Sequence, residues 1–239
     1  PNLYKLLPGS RRDLKNPNLT LTTGRLNFKD PLEIKKDPSV ILQLFETAGR
    51  RNLDVHPDAL SAIDFRRNLI DSDFRRDPDN AALFLRLLET AKAPAATLRI
   101  MNEAGVLGRY LPEFGGIVAR TQFNMHHAFT VDEHTLRLVD EADNLFKGRH
   151  KDDMPTPSEV AMNLTAQERR ILMLTCLLHD TGKGQGDQCV EGAQLTRRAC
   201  RRLGQQREVI DTASWLVRSH LEMSETAQRR DISDPETIS

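Results

Sequence analysis

Helix-start signals recur along this chain, several of them with proline at the first helical position, and they constrain its fold more than any other feature. Asp37-Pro38, His56-Pro57-Asp58 and Asp77-Pro78-Asp79 each precede an apolar run at helical spacing. Proline there gives up an amide that would have no intrahelical partner, and the side chain ahead of it can accept from the amides that remain. Val40, Ile41, Leu44, Phe45 and Ala48 then share one face, and Gly49 is expected to end that helix. Leu60, Ile63, Leu69 and Ile70 mark a second helix, and Ala82, Leu83, Leu85, Leu87 and Leu88 a third. A fourth runs from Pro94 through Leu98, Ile100 and Met101 to Gly105. Further helices are expected over Val131 to Phe146, Val190 to Leu203 and Arg207 to Leu221. With no internal repeat and no convincing strand pair, the fold class is all-α.

Residues 1–36 are expected to be irregular. Pro8-Gly9, Asn16-Pro17 and Thr22-Thr23-Gly24 are turn signals, and the alternation in Leu19 to Leu21 and Leu26 to Phe28 suits short extended pieces rather than a sheet. Residues 37–120 read as a small helical domain in which nothing looks chemical; His56, directly before a proline, reads as a capping or surface histidine. Residues 121–239 read as a second helical domain, interrupted by a polar surface loop over Gly148 to Pro157. The chain starts at Pro1 without Met and ends on the helix-start pattern Asp234-Pro235-Glu236, so a piece of a longer protein is expected.

Composition narrows the classes. With 34 basic and 34 acidic side chains, the balance gives no whole-chain case for nucleic-acid or membrane binding, which leaves local patches to be judged separately. Cys176, Cys189 and Cys200 form no CxxC pair, which fits a reduced, cytoplasmic setting. No signal peptide opens the chain, and no apolar run approaches the roughly 18 to 20 residues of a membrane-spanning helix.

The chemistry concentrates in Leu177-Leu178-His179-Asp180-Thr181-Gly182-Lys183-Gly184. Thr165-Ala166-Gln167-Glu168 is a capping-box pattern that opens the apolar helix Ile171 to Leu178, which delivers His179 and Asp180 at its end. An adjacent imidazole and carboxylate can both reach one divalent cation, and Lys183 offers a point charge to a phosphate. His126, His127, His134 and His220 lie in the same half. Each alone reads as a core or capping histidine. Together they set polar groups at the ends or faces of separate apolar helices, where burial costs free energy unless something pairs them. A shared metal is one economical partner. His127 and His134 share a helix face only if the helix begins before Thr130. No phosphate-binding glycine loop, HExxH or GxSxG competes with this site. Cys189 reads as an ordinary thiol, and Arg197-Arg198 and Arg201-Arg202 as a solvated helix face.

A helix histidine, His-Asp-x-Gly-Lys about forty-five residues later and a further histidine together resemble the HD superfamily of metal-dependent phosphohydrolases. Three longer stretches, Gly105 to Phe114, Thr130 to Arg137 and Met223 to Ile232, are similar to the uridylyl-transferring and uridylyl-removing enzymes of bacterial nitrogen regulation. The resemblance implies a helical bundle of HD type after a smaller helical segment. It also implies removal of UMP from the uridylylated PII signalling protein, with Mn²⁺ or Mg²⁺ as cofactor. Carried onto this sequence, His134, His179 and Asp180 become metal ligands, His220 a further ligand or phosphate contact, Lys183 the phosphodiester contact and His127 an outer-sphere or proton-transfer group. Two positions depart from the pattern. Gln188, after Asp187, stands where a histidine is expected, and the closing aspartate is not found, Asp231 and Asp234 lying too near the end to replace it. The transferase and glutamine-sensing domains of that family would flank this segment. An HD enzyme acting on free (p)ppGpp or dNTPs, and a non-catalytic HD scaffold, are the competing expectations.

Overall fold

The computed structural model describes residues 11–118 and 130–229. Its first element is a small antiparallel sheet of β1 (Arg11–Asp13), β2 (Leu19–Thr22) and β3 (Arg25–Phe28), in that spatial order. Leu19 pairs with Phe28 and Thr22 with Arg25, so Thr23-Gly24 is a two-residue hairpin loop. Both residues have positive φ, 50° and 82°, as a loop matching the twist of its strands requires. Leu19, Leu26 and Phe28 are buried. The sheet is tied to the helices where the Leu26 amide donates to the Asp54 carbonyl at 2.8 Å and the His56 amide to the Leu26 carbonyl at 2.8 Å.

Helices make up the rest. The first group is α1 (Glu33–Lys36), α2 (Val40–Arg51), α3 (Pro57–Asp64), α4 (Ser72–Arg76), α5 (Pro78–Thr90), α6 (Pro94–Glu103), α7 (Leu107–Tyr110) and α8 (Pro112–Gly115). The second is α9 (Val131–Phe146), α10 (Pro155–Asn163), α11 (Ala166–Leu178), α12 (Gln188–Arg202), α13 (Arg207–Ser219) and α14 (Glu222–Arg229). The caps behave as their chemistry demands. Asp77 accepts from the Asp79 and Asn80 amides ahead of α5, and His56 Nδ1 accepts from the Asp58 amide at 3.2 Å ahead of α3. Apolar side chains fill one continuous cluster from Leu19 to Ala213, crossing from the first group of helices into the second. α11 stands at its centre, packed on α5, α8, α9, α12 and α13. Among the described residues no helix is long and apolar enough to cross a membrane.

The structure is all-α in the main, as expected, and departs from the sequence reading in four places. The segment expected to be irregular contains the three-stranded sheet; its strands are too short for alternation alone to reveal, and their partners include the distant residues around Val55. Gly49 does not end α2, which runs on to Arg51 and is capped by Asn52 in the left-handed conformation. A Cβ on Gly49 would stand 2.9 Å from Ala91 Cβ and Thr97 Oγ1, so that glycine lets α2 approach its neighbours closely. Leu69 and Ile70 lie beyond α3, at the end of a 3-10 turn. The loop expected to reach Pro157 is already helical from Pro155, because α10 buries Ser158 and Ala161.

Candidate metal centre

The capping box at the start of α11 is formed as expected. The Thr165 amide donates to Glu168 Oε2 at 2.7 Å, and the Glu168 amide donates to Thr165 Oγ1 at 3.3 Å. From there α11 buries Ile171, Leu174, Leu177 and Leu178, and it ends with His179 as its C-cap. The chain then turns sharply. Thr181, fully buried, donates from Oγ1 to the Leu178 carbonyl at 2.7 Å, and the Lys183 amide donates to the Asp180 carbonyl at 3.0 Å.

What lets this turn lie so low is a pair of glycines. A Cβ on Gly182 would fall well inside van der Waals contact of the Gln188 carbonyl oxygen and the Gly192 amide nitrogen. A Cβ on Gly192 would in turn crowd Val217 Cγ1 at 3.1 Å and the His179 carbonyl oxygen at 3.3 Å. The His-Asp turn therefore rests directly on the first turns of α12, whose N-terminus Asp187 caps by accepting from the Cys189 and Val190 amides.

His134, His179 and Asp180 converge, their ligand-type atoms all lying within 4.8 Å of one another. His134, from the first turn of α9, sets Nε2 3.8 Å from Asp180 Oδ2, and His179 Nε2 lies 3.3 Å from the same oxygen. Lys183 Nζ reaches that oxygen at 2.7 Å. The other oxygen, Oδ1, faces His220 Nε2 at 3.8 Å. The His179 ring lies between the other two imidazoles, with centroids 5.4 Å from His134 and 5.3 Å from His220.

Second contacts of the rings decide their tautomers. His179 Nδ1 lies 2.9 Å from the Cys176 carbonyl oxygen, and His220 Nδ1 lies 2.6 Å from that of Val217. A carbonyl only accepts, so each ring keeps a proton on Nδ1 and turns Nε2 toward Asp180. His220 Nε2 is buried and has no hydrogen-bond partner. Burial lowers the His220 imidazole below its ordinary value, and the neighbouring His179 pushes the same way. Burial would raise the Asp180 carboxyl, but His179 and Lys183 outweigh it and hold the group well below the usual carboxylate range. Inward-facing imidazole Nε2 atoms, an ionised carboxylate and an orphaned buried nitrogen are the kind of donor set that a divalent cation takes. The residues present fit such an ion.

His134 is presented by contacts the sequence did not advertise. Arg99 on α6 grips Glu133 with two hydrogen bonds of 3.1 Å, and Arg137 adds a third at 3.1 Å. Asn102 Nδ2 donates to Asp132 Oδ2 at 2.9 Å. The bonds from Arg99 and Asn102 pin the first turn of α9 to α6 at the two residues just before His134. His127, Asp231 and Asp234 lie outside the described residues. α9 begins at Val131, with Thr130 extended as its N-cap. Cys189 sits nearby, its thiol raised by burial and by the carboxylates of Asp187, Glu225 and Asp180, which is the opposite of an activated nucleophile.

Residues 20–110 match the family described as Uridylyltransferase GlnD third domain, and residues 126–238 match the HD domain. The chain is 47% identical over 240 aligned residues to the bifunctional uridylyltransferase/uridylyl-removing enzyme of Phenylobacterium zucineum (strain HLK1), covering 99% of this chain and 25% of that protein. It is 45% identical to the enzyme of that name from Caulobacter vibrioides (strain NA1000 / CB15N), with the same coverage. The Azospirillum brasilense enzyme is 42% identical over 215 residues, or 90% of this chain and 23% of that protein. The chain belongs to the bifunctional uridylyltransferase/uridylyl-removing enzyme family. It spans about a quarter of the length of these curated relatives, and the part it spans carries the third domain and the HD domain. An HD domain is a phosphohydrolase domain that depends on metal, and within the matched residues His134, His179 and Asp180 form a group that could hold a metal ion.

Proposed function

We propose that this chain carries the uridylyl-removing centre of its family: a cation-dependent phosphodiesterase that hydrolyses UMP from the uridylylated PII signalling protein. The observation that carries the reading is the convergence of His134, His179 and Asp180, from two helices, inside a segment matched by the HD domain. These three residues hold the cation, and His220, with its buried unpartnered Nε2, is a further ligand or a phosphate contact. Lewis-acid polarisation of a phosphoryl oxygen and acidification of a water are what a cation there supplies when bound. Lys183, 2.7 Å from Asp180, is assigned to the phosphodiester, where an ammonium would offset the charge that develops at phosphorus. His127 is assigned to proton transfer or to the outer sphere.

Several finer assignments belong to the same reading. Imidazoles outnumber carboxylates at the centre, which favours Mn²⁺ over the harder Mg²⁺. Gln188, in place of the histidine expected there, favours one ion rather than two. Residues 37–120 act as a linker domain and residues 121–239 as the HD domain, working in the cytoplasm on a protein substrate.

The test is release of UMP from uridylylated PII, in the protein at the full length of its relatives, with and without Mn²⁺. Chelation is expected to abolish release and Mn²⁺ to restore it. His179→Ala and Asp180→Ala are each expected to lose more than the roughly 10- to 100-fold typical of an outer-sphere partner. Undiminished release in either variant would refute the assignment. Hydrolysis of free nucleotides in preference to uridylylated PII would move the chain to another class of HD enzyme.

A further inference from the structure

Away from the metal centre, the C-terminal end of α12 forms a second cleft of about 680 Å³ with α4 and α8. It is lined by Arg75 and Arg76 from α4, Glu113 from α8, and Arg198, Arg201 and Arg202 from α12. Five guanidiniums against one carboxylate is a concentration of charge in a chain whose total is zero. Two of the arginines are fixed. Arg202 holds Glu113 with two parallel hydrogen bonds of 2.8 and 2.6 Å, which uses up the only carboxylate of the lining. Arg75 donates from Nη1 to the carbonyls of Ile70 and Arg109 at 3.1 and 3.3 Å, leaving its other donors to the cleft. The remaining three are exposed. Arg76 is only loosely near a carboxylate, 3.9 Å from the highly exposed Asp73.

Arginine in the last turn of a helix complements the helix dipole, and that accounts for arginines on α4 and α12 taken separately. It does not account for two such helix ends facing each other across one concave space, where like charges repel. An anion between them removes that repulsion, and guanidinium forks match phosphate oxygens two at a time. Of the anions available, the lining favours a compact one. Its volume is within the ordinary range of small-ligand sites. None of its residues is aromatic, so it offers neither a stacking platform for bases nor the aromatic anchors typical of a protein interface.

We propose that this cleft is a binding site for a compact oligophosphate, a chain of two or three phosphates either free or carried by a nucleoside. The site bridges the two family segments, since Arg75 and Arg76 lie within residues 20–110 and α12 within residues 126–238. Its occupancy therefore stabilises their docked arrangement by mass action. α12 also carries Gly192, against which the His-Asp turn rests, so the ligand sits on the far end of an element that supports the metal centre.

The experiment is calorimetric titration of the 239-residue chain in EDTA with pyrophosphate, tripolyphosphate, UTP and ATP, and with a glutamate-rich peptide of matched charge. Saturable binding of tripolyphosphate is expected, weakened at high salt. Equal affinity for the nucleotides assigns recognition to the phosphates alone, and tighter nucleotide binding assigns it to a nucleoside-bearing ligand. The variant Arg76→Ala/Arg198→Ala/Arg201→Ala changes only exposed side chains and should keep the native circular dichroism while binding at least about tenfold more weakly. His179→Ala/Asp180→Ala should bind oligophosphate as the unaltered chain does, which separates this site from the metal centre. The proposal is overturned by the absence of saturable oligophosphate binding, by equal binding in the triple-arginine variant, by loss of binding in the His179/Asp180 variant, or by preference for the acidic peptide.

Discussion

Asp180 is the residue on which the centre turns, because both of its oxygens are used at once. Oδ2 faces His134, His179 and Lys183, and Oδ1 faces His220. A side chain in that position must be held rigidly, yet it follows a helix end, where backbones fray. Gly182 supplies the rigidity by having no side chain: it seats the turn against the Gln188 carbonyl and the Gly192 amide. Gly182→Ala is therefore expected to push the turn off α12. Overpacking of this kind costs about 1–3 kcal/mol, read from urea unfolding, and the displaced Asp180 should bind Mn²⁺ more weakly in a direct titration. If stability and Mn²⁺ affinity both stay as they were, the turn is not held in this way. Gly182 was legible as a turn glycine beside His-Asp, but the close approach was not, because its partner Gly192 lies inside the early turns of α12 and no local pattern marks it.

At the scale of single elements, α11 shows how much local signals carry. Its capping box, its apolar face and its end at a histidine can each be read from a few consecutive residues, and the structure has all three. α9 shows the limit. Its span from Val131 to Phe146 follows from apolar spacing, while Arg99 and Asn102, which hold its first turn, are 34 and 30 residues away from their partners. In the sequence they look like any polar residues on a solvated helix. The small sheet is the same problem in another form, since strands of three or four residues gain their order from pairing, and β3 also leans on the distant Val55. A local signal should respond to a local change. Thr165→Ala removes the acceptor for the Glu168 amide and is expected to cost about 1 kcal/mol, seen as a lower urea midpoint with an unchanged slope. Because the start of α11 is remote from His179, metal affinity should be unaltered. A fall in affinity matching the fall in stability would show instead that the whole helix shifts when its N-terminus loosens.

Over the whole molecule, the question is what makes one body of two family segments. The apolar cluster is continuous from Leu19 to Ala213, and polar ties reinforce it. Arg170 pairs with Glu89, joining α11 to α5. Arg202 grips Glu113, joining α12 to α8, in a pair whose side chains are only 18% and 7% exposed. The bonds to Glu113 raise the Arg202 guanidinium above an ordinary value that is already high, and that ordinary value alone keeps it charged once the carboxylate is gone. That asymmetry determines the consequence of breaking the pair. Glu113→Gln leaves a half-buried guanidinium without its counter-charge, and loss of one partner of such a pair costs about 3 kcal/mol. Replacing both, as in Glu113→Leu/Arg202→Met, removes the unpaired charge and is expected to recover most of that loss. Urea unfolding of the two variants checks this, followed by both near-ultraviolet dichroism and tyrosine and tryptophan fluorescence. Trp215 lies in α13 and Tyr110 in α7, so the probes report on both segments. Coincident transitions in the single variant mean that the continuous core alone keeps the molecule one cooperative unit. Separate transitions, with the α13 signal moving apart from the other, mean that the Glu113–Arg202 pair is what couples the HD domain to the helices before it.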